Sequence, residues 1–300
     1  MREDAMREDT MQQNTPRLLV AYLATSGGAD AVSLGVRMAR SIGADLDLCM
    51  VVPGDRSASV LPGLNYDDVL LEQSRQWLAE AINLVPADVF ATPHVIVDDS
   101  PAQGLMDQAQ RLGACAMVVG GSGGGIAGGH SLGSVVNEIL HASTIPVVLA
   151  PRGARHSATD RIREITCAIG TLPGSEELLG AAVRVAASSG VGLRLVSLVA
   201  VDRAARAGDD RRRRANDHAA ETLAKATSAL PESIPVTVQI GEGRSVEAAV
   251  DGLSWHDGDV VMVGSSRLAQ PHRLFLGSTA AKMLRSLAVP VVIVPRDDEA

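Results

Sequence analysis

The sequence predicts an α/β protein made of two similar units, each a parallel, doubly wound sheet with helices on both faces. Three observations carry this. Short apolar runs rich in Val, Ile and Leu, the mark of strands buried on both faces, alternate with longer stretches of helical period. The stretch Met117–Pro151 recurs as Val261–Pro295, and Gly120/Gly264, Gly133/Gly277 and Pro151/Pro295 all keep one offset of 144 residues. Both units also open alike, Arg17-LLVAYLA-Thr25 against Arg163-EITCAIG-Thr171. A repeated order of elements implies a repeated fold, and strands joined by helices imply parallel pairing with right-handed crossovers.

In the first unit, Arg17–Leu23 reads as a strand, ATSGGAD as a polar turn, and Ala31–Ile42 as a helix that Gly43 stops. Ala44–Val52 is a strand and Pro53–Asn65 a loop. Tyr66–Leu84 is a helix with Leu70, Leu71, Trp77 and Leu78 on its apolar side. Val89–Val97 is a strand. Ser100-Pro101 supplies an N-cap and an N1 proline for a helix to Leu112. Met117–Val119, Ser131–His141 and Ile145–Ala150 complete the unit as strand, helix and strand. The second unit repeats this with strands near 163–169, 191–199, 234–240, 259–264 and 290–294. Its helices fall near 175–188, 208–229, 245–254 and 277–287. The domains are accordingly 17–152 and 163–296, joined by a polar linker at 153–162. Residues 1–16, with the tandem MREDA-MREDT, read as a disordered extension, and 297–300 as a tail. The last strand of each unit is apolar and lies at a sheet edge, so the two are expected to face each other about a pseudo-two-fold axis within the chain.

Composition narrows the function. A formal charge of −8 and only six aromatic residues argue against nucleic-acid binding, and Arg211–Arg214 beside Asp209 and Asp210 reads as a solvated face. No apolar stretch approaches the roughly 18 residues of a membrane span, and the start lacks a signal-peptide core. Cys49, Cys115 and Cys167 have no metal or redox spacing; Cys115 and Cys167 lie in or beside strands and read as buried, reduced thiols, which suits the cytoplasm.

The chemistry concentrates in the glycine-dense loop Gly120–Gly133, which leads from a strand into a helix N-terminus. That arrangement presents bare backbone N–H groups to an anion, and glycine admits both positive φ and close approach. Three familiar motifs fail. Gly120-x-Ser122-x-Gly124 matches a nucleophile elbow, but the helix starts about ten residues too late and the second unit has Arg267 and Leu268 after Ser266. Gly123-x-Gly125-x-x-Gly128 matches a dinucleotide fingerprint, yet follows the fourth strand rather than the first. Gly128–Ser134 lacks the P-loop lysine, because Gly133 stands there. His130 and His272 read as solvated loop histidines, and no carboxylate pair, metal cluster or triad marks an enzyme.

A fourth pattern, G-x2-G-x9-G-[ST], is met by Gly120, Gly123, Gly133 and Ser134 before an apolar helix and a Pro-Val-Val strand. With the duplicated topology and the ends PVVLAPR and PVVIVPR, the chain resembles the universal stress protein family over about 17–152 and 163–296. The resemblance implies two Rossmann-like (HUP-type) domains, each with strand order 3-2-1-4-5, and ATP, with or without Mg2+, over the carboxyl ends of the strands. Carried over, Gly120 and Gly123 approach ribose and phosphates, Gly133, Ser134 and Val135 offer N–H groups, Thr25 could give one hydrogen bond near the adenosine, and Val52 belongs to the same nucleotide-binding set. Gly264, Arg267, Gly277, Ser278 and Thr279 are the second-unit counterparts. Nucleotide-binding members carry an aspartate just after the first strand, where this sequence has Leu23-Ala24-Thr25 and Gly170-Thr171-Leu172. Two functions are therefore open. One is a cytoplasmic stress-response protein binding ATP or a related adenine nucleotide, chiefly in the first unit because Arg267 replaces a loop glycine in the second. The other is a nucleotide-free dimerisation or partner-binding module of the same fold.

Overall fold

The computed structural model describes residues 15–54, 66–121, 130, 132–170, 174–201, 208–266 and 273–296 (side chains of 66, 67, 208 and 209 excepted). The extension before Thr15 and the tail after Arg296 lie outside the described residues. The first half runs β1 (Arg17–Ala21), α1 (Ser26–Ile42), β2 (Asp45–Val52), α2 (Tyr66–Ile82), β3 (Ala91–Val97), α3 (Pro101–Leu112), β4 (Ala116–Gly120), α4 (Ser134–Ala142) and β5 (Val147–Ala150). The second half repeats it: β6 (Glu164–Ala168), α5 (Ser175–Ser189), β7 (Gly192–Ala200), α6 (Gly208–Ser228), β8 (Val236–Gly243), α7 (Val246–Asp251), β9 (Asp259–Gly264), α8 (Ser278–Ser286) and β10 (Val291–Val294).

The strands form one ten-stranded sheet in the order β3-β2-β1-β4-β5-β10-β9-β6-β7-β8. Every neighbouring pair is parallel except β5 with β10, which is antiparallel and joins the halves. Val148 pairs with Val292 there, and these two residues are 144 apart. The pseudo-two-fold axis of the duplication thus passes through this pair, and the last strands meet as expected. Helices cover both faces of the sheet. Leu18 and Val20 therefore enter one core while Leu19 enters the other, and both cores cross from half to half. Burial on both sides is why the strands read as unbroken apolar runs; each fully buried Leu or Val contributes about 1.5–3 kcal/mol.

Three local expectations change. The ATSGGAD stretch is not a turn: α1 begins at Ser26, with Thr25 as N-cap accepting a hydrogen bond from the Gly28 N–H at 3.2 Å. Cys115 is exposed, unlike Cys49 and Cys167. The polar linker is no loose tether, for it forms a 3-10 turn at Ala154–His156 docked on α1. Buried Asp30 accepts hydrogen bonds from the Gly153 and Arg155 N–H groups at 2.9 and 3.0 Å. Arg37, two turns further on, donates to Ser157 Oγ (2.8 Å) and the Ala154 carbonyl (3.2 Å). Ser41 Oγ accepts from the Ile162 N–H at 2.8 Å. One stripe of α1 thus supplies many of the linker's partners, and Asp257 of the second half accepts from Ser157 Oγ and the Ala158 N–H at 2.5 and 2.7 Å.

Candidate functional site

At the carboxyl end of the first half's sheet, β1 and β4 are neighbours whose outgoing connections diverge to opposite faces, the crevice where ligands settle in open α/β sheets. β4 ends at Gly120, and α1 crosses directly above it. A Cβ built on Gly120 would lie 1.9 Å from the Gly27 carbonyl oxygen, and one on Gly27 2.1 Å from that of Gly121. These glycines are required by the strand–helix crossing itself, whatever the ligand. The second half is looser: a Cβ on Gly264 would lie no closer than 3.7 Å to anything, the Leu178 side chain.

α4 then opens with Gly133 as N-cap, at φ −76°, and no side chain caps it. Gly277 stands in the same way at the start of α8, with φ −71° and no side-chain cap. First-turn N–H groups of a helix have no intrahelical partner, so the N–H groups of Ser134 and Val135, and of Ser278 and Thr279, stand at the two helix starts without a side-chain cap. Ser134, Ser278 and Thr279 are exposed. Two of the sequence-derived site residues are already engaged within the protein. Thr25 Oγ caps α1, and the Val52 carbonyl accepts a hydrogen bond from the Asp98 N–H at 3.1 Å. Leu23, in the Leu23-Ala24-Thr25 stretch just after β1, is apolar and 59% exposed. Gly123, Ser122, Arg267 and His272 lie outside the described residues.

The loops that carry these N-termini lean on the opposite half. The His130 N–H donates to the Leu284 carbonyl at 3.3 Å, and His130 Nε2 bonds the Val289 carbonyl at 3.0 Å. His130 is therefore no solvated loop histidine. Its Nδ1 is sealed from solvent without a partner among the described residues, and burial pushes its pKa down to about 4. In return the Leu274 N–H donates to the Ser143 carbonyl at 2.8 Å, and Phe275 meets His141 edge-on with ring centroids 4.8 Å apart. The stems of the second loop are also stitched together. Ser266 N–H donates to the Phe275 carbonyl at 2.9 Å, and Ser265 Oγ accepts from the Phe275 N–H at 2.8 Å. The first half has Gly121 at the place of Ser265 and lacks that hydroxyl. Neither His130 nor Ser265 was legible as an anchor, since both act through partners distant in sequence or across the loop.

Other chemistries find little support. β4 ends at Gly120 and the next helix begins only at Ser134, whereas a nucleophile elbow needs the helix to follow the strand directly. Burial raises the Cys49 thiol pKa and pushes that of Cys167 up to about 12, so both stay protonated and inert. Among the described residues no group of three His, Cys, Asp or Glu side chains could hold a metal ion, and no helix is long and apolar enough to cross a membrane.

Comparison with known proteins agrees with this geometry. The profile of the universal stress protein family matches residues 14–151 and again 161–295. Universal stress proteins of Mycobacterium tuberculosis (strain H37Rv) and Mycobacterium bovis are 27% identical over 298 residues, covering 93% of this chain and 99% of their own. The crystal structure of a universal stress protein from Archaeoglobus fulgidus is similar in fold, with TM-score 0.63 at 16% identity over 94% of this chain and 99% of that one. Matched twice along its length, each time over one half of the sheet, the chain belongs to the universal stress protein family as a tandem member.

Proposed function

We propose that the chain is a cytoplasmic stress-response module that binds ATP or a related adenine nucleotide, chiefly in its first half, and signals through conformation or protein partners. One observation carries the reading: an uncapped helix N-terminus, Gly133–Val135, follows a glycine loop at the carboxyl end of β4, beside the switch point. The helix dipole and the free N–H groups favour a phosphate there. Ser134 and Val135 would hold it with backbone donors, and the Ser134 hydroxyl adds one more; each charge-assisted bond contributes about 1.5–3 kcal/mol. Gly120 and Gly123 would line the approach, and Mg2+ would arrive on the phosphates. The first half is favoured because the stems of the second loop are tied by Ser265 and Ser266, which narrows the freedom of Gly277 to open toward a ligand. Gly264, Gly277, Ser278 and Thr279, with Arg267, would form the weaker site. A perchloric-acid extract of the purified protein, examined by mass spectrometry, tests the reading. Adenine nucleotide in the extract supports it.

A second reading, the nucleotide-free partner-binding module, is favoured by the end of β1. The Leu23-Ala24-Thr25 stretch supplies no carboxylate, and Thr25 Oγ and the Val52 carbonyl already have protein partners. An extract without nucleotide, and no thermal shift with millimolar ATP and magnesium, would select it.

A further inference from the structure

The two ends of the ten-stranded sheet are unlike. In the first half, Leu46 N–H donates to the Phe90 carbonyl and Asp98 N–H to that of Val52. Even-numbered residues of β3 therefore bond β2, and the backbone of the odd-numbered ones faces outward. The outward position that pairs in register with Leu48 is Pro93, which has no N–H to offer. This edge is blunted. In the second half, Leu193 N–H donates to the Pro235 carbonyl and Val201 N–H to that of Gly243. Odd-numbered residues of β8 bond β7, so Val236, Val238, Ile240 and Glu242 present their backbone outward. The position matching Pro93 is Val238, which pairs with Leu195 and keeps an outward N–H.

The flank of β8 is also open. α6 lies over β7 and leaves a groove of about 620 Å3 beside β8, lined by Ala220, Leu223, Ala224, Thr227, Val238 and Ile240. Val238 is 55% exposed within it. A free strand edge accepts only another extended strand, and this one is complementary to itself. Antiparallel pairing centred on Val238 sets Val238 against Val238, and Val236 against Ile240, all with outward N–H and C=O groups and all on the groove face. Between them exposed Thr237 opposes Gln239, so no like charges meet. Exposed Glu232 and Arg244 are equidistant from Val238, so each comes opposite the other's counterpart and the charges complement.

We propose that the β8 edge is a self-association surface, on which a second copy of this chain docks antiparallel through its own β8, extending the sheet through both molecules. Because Pro93 blunts the other end, association closes as a two-fold dimer and does not run on into a fibre. The proposal stands apart from nucleotide binding and from the β5–β10 junction, which is already occupied within the chain.

Sedimentation velocity of the full chain, from micromolar to submillimolar concentration, tests it. Wild type is expected to move from monomer to dimer and no further. Val238→Pro should remain monomeric, with circular dichroism and melting unchanged, since the matching position of the first half already holds proline. Pro93→Val should expose the second edge and give species larger than dimers. A wild type that stays monomeric throughout, or a dimer that Val238→Pro leaves intact, overturns the proposal.

Discussion

His130 gives the inter-half contact an acid-sensitive element whose size can be worked out. Its folded pKa of about 4 lies below the ordinary histidine value of roughly 6.5. The unfolded chain therefore binds the proton more readily, and stability falls as pH drops from about 6.5 toward 4. Below about 4 both states are protonated and the loss levels off. Between pH 7 and pH 5 this single group should remove about 2 kcal/mol, from about 1.4 kcal/mol per unit of differential protonation. The second half has Leu274, buried to 1% exposure, at the position 144 residues further on. His130→Leu therefore places in the first half what the fold already accepts in the second. At neutral pH the variant gives up the bond to the Val289 carbonyl and gains apolar burial, two effects of similar size and opposite sign. The readout is the pH dependence. Urea unfolding at pH 7 and pH 5 should show wild type losing about 2 kcal/mol more than His130→Leu over that interval. Equal losses would refute the argument and mean that the imidazole protonates without leaving its place between the halves.

Two further predictions concern the glycines and the ion pairs. Gly120→Ala should be destabilising by about 1–3 kcal/mol or prevent folding, because the Gly27 carbonyl fills the space, whereas Gly264→Ala should cost little; chemical denaturation compares them directly. Equal costs would contradict the asymmetric crossing. At the opposite ends of β1 and β2, Arg17 pairs with fully buried Asp47 at 2.5 Å, while the matching places of the second half hold Glu164 and buried Arg194 at 3.0 Å. Arg17→Met should cost about 3–5 kcal/mol, leaving Asp47 to His94 alone, and adding Asp47→Leu should restore most of that loss. A double variant less stable than the single one would show that the pair is held for more than charge balance.

How much of this was legible in the sequence depended on how far each partner lies along the chain. The duplicated strands announced themselves because burial on both faces leaves unbroken apolar runs, and Ser100-Pro101 and Gly43 mark their helix ends locally. The start of α1 was misread because Gly27 and Gly28 lower helix propensity. Only the crossing over Gly120 and the Leu23 carbonyl explains why glycine stands there. The linker looked featureless since many of its partners lie on a stripe of α1 more than a hundred residues earlier. The charge-reversed pairs were hidden by aligning Arg17 with Arg163. Strand register instead sets Leu18 opposite Ala116 and Ile165 opposite Val260, which makes Glu164 the counterpart of Arg17. The site was legible as a glycine loop and a helix start. Its contacts with the other half were not, because His130 and Leu274 find their partners only after the halves have joined.

Titration calorimetry with ATP and magnesium on wild type and Gly133→Val tests the central claim most directly. At φ −76° the Gly133 position admits any residue, so valine leaves α4 folded but puts a branched side chain against the N–H groups meant for phosphate. Wild type is expected to bind, Gly133→Val to lose most of that binding, and Arg267→Gly to bind equally well or more tightly. Affinity that survives Gly133→Val and disappears in Arg267→Gly would contradict that claim and move the nucleotide to the second half.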